Sequence, residues 1–336
     1  MFSKDIGIDL GTANVSIYVK GSGIVLDEPS VVAIDSESKK VLAVGEEARK
    51  MVGRTPGNIV AIRPLREGVI ANFEITEAML KYFMDKVGGK KWYSHPRVLI
   101  CAPTNITSVE QKAIRESAKR SGAKDVFLVE EPKAAAVGAG MDISQPSGNM
   151  VIDIGGGTTN VAVISMGDIV AASSIKVAGD KFDDAIMKYI KNKYKLLIGE
   201  RTSEEIKIRI ATVHPEGRQE EMDIRGRDMV TGLPISITVH AMEIKEALVE
   251  PIYSIVASAK ALLEKTPPEL SADIIDKGII LTGGGAMLHG LDQLLTEELL
   301  VPVLIAEDSM HCVVKGTGAM LDNLDKLAKK ASIKGL

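Results

Sequence analysis

At 336 residues the chain exceeds one typical hydrophobic core, and 45% hydrophobic with 26% charged residues describes a soluble globular protein rather than a disordered one. A net charge of −4 gives no electrostatic footprint for nucleic acid. No run approaches the roughly 18 apolar residues of a membrane span, residues 1–5 lead straight into a strand without a signal-peptide core, and Cys101 and Cys312 read as small buried hydrophobes, so the expected setting is cytoplasmic and reducing.

The chain opens with an apolar run over 6–10 that carries Asp9, then Gly11-Thr12-Ala13-Asn14, then a second run over 15–19. This reads as two strands joined by a tight Gly turn, with an Asp at the end of the first. Short strands at 31–34 and 41–44 and a short helix over 46–52 follow. Residues 54–68, with Pro56, Gly57 and Pro64, read as a surface excursion. Thr76 is placed to cap a helix with Met79, Leu80, Phe83 and Met84 on one face.

The next loop holds the only tryptophan, Trp92, beside Tyr93, between Lys90-Lys91 and His95-Pro96. Trp92 either folds back as a lid on the core or stands at an exposed aromatic tip whose basic flanks suit an anionic lipid surface. The apolar run 98–102 is a buried strand. Thr107 or Ser108 caps a helix, with Glu110 and Gln111 placed for a capping box. A strand over 126–129 then leads to Glu130-Glu131-Pro132 and an Ala-rich helix. Strands alternating with helices imply a mixed sheet with helices packed on it.

Near residue 148 the chain starts its fold again. Val151-Ile152-Asp153-Ile154-Gly155-Gly156-Gly157-Thr158-Thr159-Asn160 repeats the opening pattern, with a strand over 161–165. A helix bearing Phe182, Ile186 and Ile190 follows Gly179-Asp180, and Ser203 is placed to open another that carries Glu204 and Lys207. Residues 213–240 read as short antiparallel strands. The longest helical pattern, 241–265, contains Pro251, which should bend or break it. Gly283-Gly284-Gly285 is a third Gly turn after a strand, with a helix over 287–300 expected next, so that N-terminal amides face an anion or an adenosine. Gly316-Thr317-Gly318 is expected to begin the last helix, and the Lys-rich tail from Lys326 reads as frayed.

Glycines let backbone N–H groups approach an anion, threonine hydroxyls add donors, and an adjacent Asp suits a phosphate-bound Mg²⁺. One such turn is weak evidence, whereas two indicate a pair of phosphate clamps. Glu130 and Glu131 both compete for the role of strand-end carboxylate, because the two point to opposite sides of an extended chain. Glu204 and Lys207 also fit an exposed i,i+3 ion pair.

Taken together, these residues resemble the actin-like ATPase superfamily. Asp9-Leu10-Gly11-Thr12 looks like its first phosphate motif, 153–159 its second, 281–286 its adenosine motif, and 131–140 with 316–318 its two connecting helices. Asp9-Leu10-Gly11-Thr12-Ala13-Asn14, Asp27-Glu28-Pro29-Ser30, Glu130-Glu131-Pro132 and Leu196-Leu197-Ile198-Gly199-Glu200-Arg201-Thr202 resemble the MreB family of bacterial actin homologues, particularly its Mbl branch, over essentially the whole length.

That resemblance implies an α/β actin-like fold of two duplicated lobes, each a mixed five-stranded sheet with helices and a smaller subdomain, with nucleotide in the cleft. Lobe I would comprise 1–147 and 319–336 with an insertion at about 32–72, and lobe II 148–318 with one at about 181–255. Gly11, Thr12, Ala13, Asn14, Gly155, Gly156, Gly157 and Thr158 would bind the phosphates of ATP, and Asp9 and Asp153 would hold Mg²⁺, largely through water. Glu131 would position the hydrolytic water, with Asp153 and Thr158 beside the γ-phosphate. Gly284, Gly285 and Ala286 would line the adenine side, and Glu204 and Lys207 would reach the ribose and purine.

The implied function is an ATPase that forms head-to-tail filaments and paired protofilaments on the inner face of the cell membrane, with Trp92 and Tyr93 as membrane contacts. Its implied partners are the anionic membrane surface and membrane-bound cell-shape and elongation proteins that lay down lateral wall, and not nucleic acid. A sugar kinase of the same fold is the alternative, although no motif places a base against a substrate hydroxyl. The family commonly carries an acid where this chain has Asn160, which implies slower hydrolysis, since Asn cannot accept a proton from water.

Overall fold

Two Asp-bearing hairpins seed the two halves of the fold. The computed structural model describes residues 5–88, 96–214 and 216–325. Trp92, Tyr93 and the tail from Lys326 lie outside them.

In the first half, β1 (Ile6–Leu10), β2 (Asn14–Val19) and β3 (Gly23–Pro29) form an antiparallel meander. A small layer follows: β4 (Val32–Asp35), β5 (Val41–Val44), α1 (Glu46–Arg49) and β6 (Ile59–Ile62), in which β4 pairs with both β5 and β6. The hairpin of β7 (Leu65–Arg66) and β8 (Val69–Ile70) leads to α2 (Phe73–Gly88), β9 (Arg97–Ala102), α3 (Ser108–Arg120), β10 (Asp125–Glu130) and α4 (Glu131–Gly138). The five-stranded order is β10-β9-β1-β2-β3, with β1 parallel to β9.

The second half repeats this plan. β11 (Asn149–Ile154), β12 (Thr159–Ser165) and β13 (Asp168–Ile175) form the meander. An inserted layer contains α5 (Gly179–Tyr194), β14 (Leu196–Leu197), α6 (Glu200–Arg209), β15 (Glu221–Asp228) and β16 (Pro234–His240). Then come α7 (Ala241–Lys265), α8 (Pro268–Lys277), β17 (Ile279–Thr282), α9 (Leu291–Leu299), β18 (Val303–Ile305) and α10 (Cys312–Met320). The order β13-β12-β11-β17-β18 matches the first sheet strand for strand.

Each sheet packs one face on its own helices: Met79, Phe83 and Ile114 under the first, Phe182, Ile186, Leu248 and Ile255 under the second. The opposite faces share a core, in which Leu99 and Val129 of one sheet and Val151 and Ala162 of the other enclose Ala134, Ala135 and Val313 of α4 and α10. Both faces of the central strands are therefore covered, which is why their sequences read as continuous apolar runs rather than alternating ones. The two helices approach at glycines. A Cβ on Gly138 would lie 1.8 Å from the Cys312 carbonyl oxygen, and one on Gly316 would lie 1.8 Å from that of Ala134.

Several local expectations change. Asn72, not Thr76, caps α2, because its side chain accepts from the Ile75 N–H while the Thr76 hydroxyl bonds back to the Asn72 carbonyl. Thr107 caps α3 in a full capping box with Glu110. Ser203 sits inside α6 with its hydroxyl turned to the Asp183 carbonyl. Pro251 does not break α7; the helical acceptor it leaves unserved, the Ala247 carbonyl, belongs to a half-exposed residue that water can reach. The third Gly turn enters a 3₁₀ turn (Gly284–Met287) before α9, and Gly316-Thr317-Gly318 lies within α10 rather than at its start. The segment 54–68 is not a mere excursion: β6 extends the small layer, Leu65 is buried, and Gly68 reaches the cleft.

Candidate functional site

The β1–β2 and β11–β12 turns meet across a cavity of ≈560 Å³ between the two sheets. Their approach is close. A Cβ on Gly156 would lie 2.6 Å from that of Ala13, and one on Gly157 would lie 2.5 Å from the Thr12 hydroxyl oxygen, so only glycine fits opposite the first turn. Gly11, Thr12, Ala13 and Asn14 line one wall, and Gly155, Gly156, Gly157 and Thr158 line the other. The Gly68 N–H donates to Thr12 Oγ1 at 3.1 Å, so the β7–β8 turn closes the cavity over both.

Three carboxylates face this space. Asp9 and Asp153 are the penultimate residues of β1 and β11, and Glu131 opens α4. Glu131 is buried whereas Glu130 is exposed, which decides between them: the chain turns from strand to helix at this point, and only the second carboxylate is directed inward. Burial, then the charges of Asp153 and Asp27, push the Asp9 pKa up to about 7, with His311 acting against the rise. Burial pushes Asp153 up to about 6, opposed by the 2.7 Å hydrogen bond from Thr282 Oγ1. Burial, then Asp153 and Asp9, push Glu131 well above the ordinary carboxylate range, while the Asn160 hydrogen bond acts the other way. Among the described residues no ion pair reaches any of the three, and no group of three His, Cys, Asp or Glu side chains suffices to hold a metal by itself. Crowded carboxylates that no ion pair neutralises, beside two glycine turns, fit a hard divalent cation that takes most of its ligands from water and other oxygen donors.

The far end of the cavity holds Glu204 and Lys207 of α6 and the Gly283–Gly285 turn. Lys207 Nζ donates to Asp183 Oδ2 at 2.8 Å and to the Gly179 carbonyl at 3.2 Å, and Glu204 faces Arg49 at 4.0 Å, so the two do not pair with each other. Gly284 and Gly285 line the wall, whereas Ala286 is fully buried behind it.

Sequence reasoning missed Asp183, Gly68 and Arg63. Asp183 is buried, and burial pushes its pKa up to about 6 although Lys207 offsets part of the effect. Its spacing of four from Gly179 along α5 was a usable signal. Arg63 reaches across the cleft to Asp180 at 2.7 Å, a juxtaposition of residues 117 apart that no local pattern carries.

The MreB/Mbl protein family model matches residues 3–329. Cell shape-determining protein Mbl of Bacillus cereus is 73% identical over 331 residues, which cover 98% of this chain and 99% of that protein. Cell shape-determining protein MreB of Escherichia coli (strain K12) is 52% identical over 330 residues, 97% of this chain and 95% of that protein. Among solved structures, MreB5 of Spiroplasma citri bound to AMPPNP superposes with a TM-score of 0.93 at 40% identity, covering 98% of this chain and 99% of that one.

Proposed function

The chain belongs to the MreB/Mbl family, and on that premise we propose that it is an ATP-dependent, filament-forming bacterial actin homologue that organises cell shape and lateral wall synthesis at the inner face of the membrane. The observation that carries this reading is the convergence of two Gly turns and the carboxylates of Asp9, Glu131 and Asp153 on one cavity between duplicated sheets. The likeness to a relative solved with AMPPNP and to proteins named for cell-shape determination supports it.

The backbone amides of 11–14 and 155–158, with the Thr12 and Thr158 hydroxyls, hold the phosphates. Such charge-assisted hydrogen bonds contribute ~1.5–3 kcal/mol each, so a handful suffices for a firm clamp. Asp9 and Asp153 would hold Mg²⁺, which would supply neutralisation of the charge on the transferred phosphoryl group. Glu131 orients the attacking water and, in its ionised form, takes the proton that the water gives up. Lys207 and Glu204 serve the nucleoside end.

Nucleotide that bridges both lobes favours the closed form. Head-to-tail contacts between such subunits build an open filament whenever the repeat operation does not close a ring. Trp92 and Tyr93 anchor that filament to anionic lipid, together with their basic neighbours.

Electron microscopy and pelleting with ATP, with and without anionic liposomes, test the reading. Filaments that require ATP and align on lipid are expected. Absence of filaments across nucleotides, salts and lipids overturns it, and unchanged liposome binding by Trp92→Ser with Tyr93→Ser overturns the membrane contact alone.

A further inference from the structure

The segment Asp27-Glu28-Pro29-Ser30 lies behind the first phosphate turn, and each of its polar side chains is committed. Asp27 accepts from Ser16 Oγ at 2.9 Å and faces His311 Nε2 at 3.3 Å. Glu28 accepts from the Glu46 N–H at 2.9 Å and from Lys86 Nζ at 2.5 Å. Ser30, fully buried, binds the turn itself twice: its hydroxyl donates to the Gly11 carbonyl at 2.6 Å, and its N–H donates to the Ala13 carbonyl at 2.8 Å.

These two bonds govern more than two oxygens. Among the described residues no peptide bond is cis, and a trans peptide holds its C=O and N–H on opposite sides of one plane. The Gly11 carbonyl shares its plane with the Thr12 N–H, and the Ala13 carbonyl shares its plane with the Asn14 N–H. Drawing both carbonyls back toward Ser30 therefore turns both N–H groups away from it. Gly11, Thr12, Ala13 and Asn14 all line the cavity, whereas Ser30 does not.

We infer that Ser30 is a positioning residue for phosphate binding: it touches no ligand, but by holding the Gly11 and Ala13 carbonyls it aims the Thr12 and Asn14 N–H groups at the phosphates. Asp27 and Glu28 fix the strap that carries it, so the turn is set before nucleotide arrives, which spares the ordering cost at binding. This rests on the nucleotide reading above and adds to it a residue whose contribution belongs to the phosphates and not to the nucleoside.

The test compares ATP, ADP and adenosine binding, by calorimetry with Mg²⁺ present, to the wild type and to Ser30→Ala, with melting of the nucleotide-free proteins alongside. Loss of the hydroxyl frees the Gly11–Thr12 peptide plane, and ATP and ADP should bind about 10- to 100-fold more weakly, while adenosine affinity changes less than about twofold. Ser30→Thr, which restores the donor, should recover part of the ATP affinity. If Ser30→Ala does not fold, the near-isosteric Ser30→Cys, a weak donor, takes its place in the same comparison. Equal losses for ATP and adenosine, or no loss at all, overturn the assignment and leave the nucleotide reading intact. Failure of the wild type to bind ATP overturns both.

Discussion

The Asn160 carboxamide donates a 2.7 Å hydrogen bond to Glu131 Oε2 in the buried interior of the cleft. Asn160 is wholly buried, faces Asp153 in the β11–β12 register, and leaves its own Oδ1 without a hydrogen-bond partner. The residue therefore fixes the orientation of the carboxylate proposed to receive a proton, and it does so without adding a fourth carboxylate beside the three already crowded there.

From this pairing, Asn160→Asp is expected to raise single-turnover phosphate release on the order of tenfold or more near neutral pH, because a second acid becomes available to the water. ATP affinity should stay within a few-fold. Glu131→Gln should lower release by roughly 10²- to 10³-fold with binding retained. Quenched-flow phosphate detection checks both, and an unchanged rate in Asn160→Asp argues against a catalytic cost of the asparagine.

His311 supplies a pH dependence. Burial works against its charge, but Asp308 at 2.8 Å and Asp27 at 3.3 Å outweigh it and hold the pKa above the ordinary value of 6.5. The folded protein then binds this proton more tightly than the unfolded chain, so the stabilisation is complete below about pH 6.5 and is lost as pH climbs through the folded value. The melting temperature should fall from pH 6.5 to 8.5 more steeply in the wild type than in His311→Gln. Parallel slopes in a calorimetric pH series count against the clasp.

Arg63–Asp180 and Lys176–Glu67 bridge the cleft at 2.7 and 3.0 Å. Partly exposed pairs contribute only about 0–1 kcal/mol, so Arg63→Ala should barely move the melting temperature. Its effect should appear in closure, as an ATP affinity weaker by about three- to tenfold and a larger radius of gyration in small-angle scattering with nucleotide bound. A variant that closes on ATP like the wild type refutes the role.

The α4–α10 crossing leaves no room at its glycines. Gly316→Ala should cost about 1–3 kcal/mol or more in urea unfolding, since a new Cβ meets the Ala134 backbone, which cannot rotate away as a flexible side chain would. Wild-type stability in that variant would show that the two helices part easily.

Much of this architecture was legible in one dimension because it is written twice. The hairpin around Asp9 and the hairpin around Asp153 share a pattern whose duplication predicts matching sheets, and β3-β2-β1-β9-β10 does match β13-β12-β11-β17-β18. Buried strands such as β9 and β11 were legible from their apolar runs, and the Thr107–Glu110 box from its spacing. The start of α2 was misplaced because Asn72 and Thr76 are both acceptable caps by type and only hydrogen-bond geometry selects between them, whereas α6 begins at Glu200 behind Gly199 with no side-chain cap to mark it.

By itself, then, the sequence determined the residue types of the cleft: glycines where two turns must touch, acids at strand ends, and the repeated plan that brings them to equivalent places. Periodicity and turn chemistry act over a few residues, so a linear pattern can encode them. The tertiary structure decided which of Glu130 and Glu131 enters the cleft, that Lys207 pairs with Asp183 and not Glu204, and that Arg63 meets Asp180 and His311 meets Asp27. It also showed that the Asp at the head of the second Gly motif and the Asn at its end share a site with a glutamate 29 residues before that Asn. Those outcomes depend on how two sheets and a pair of glycine-crossed helices pack, and packing is set by the whole core rather than by neighbours in the chain.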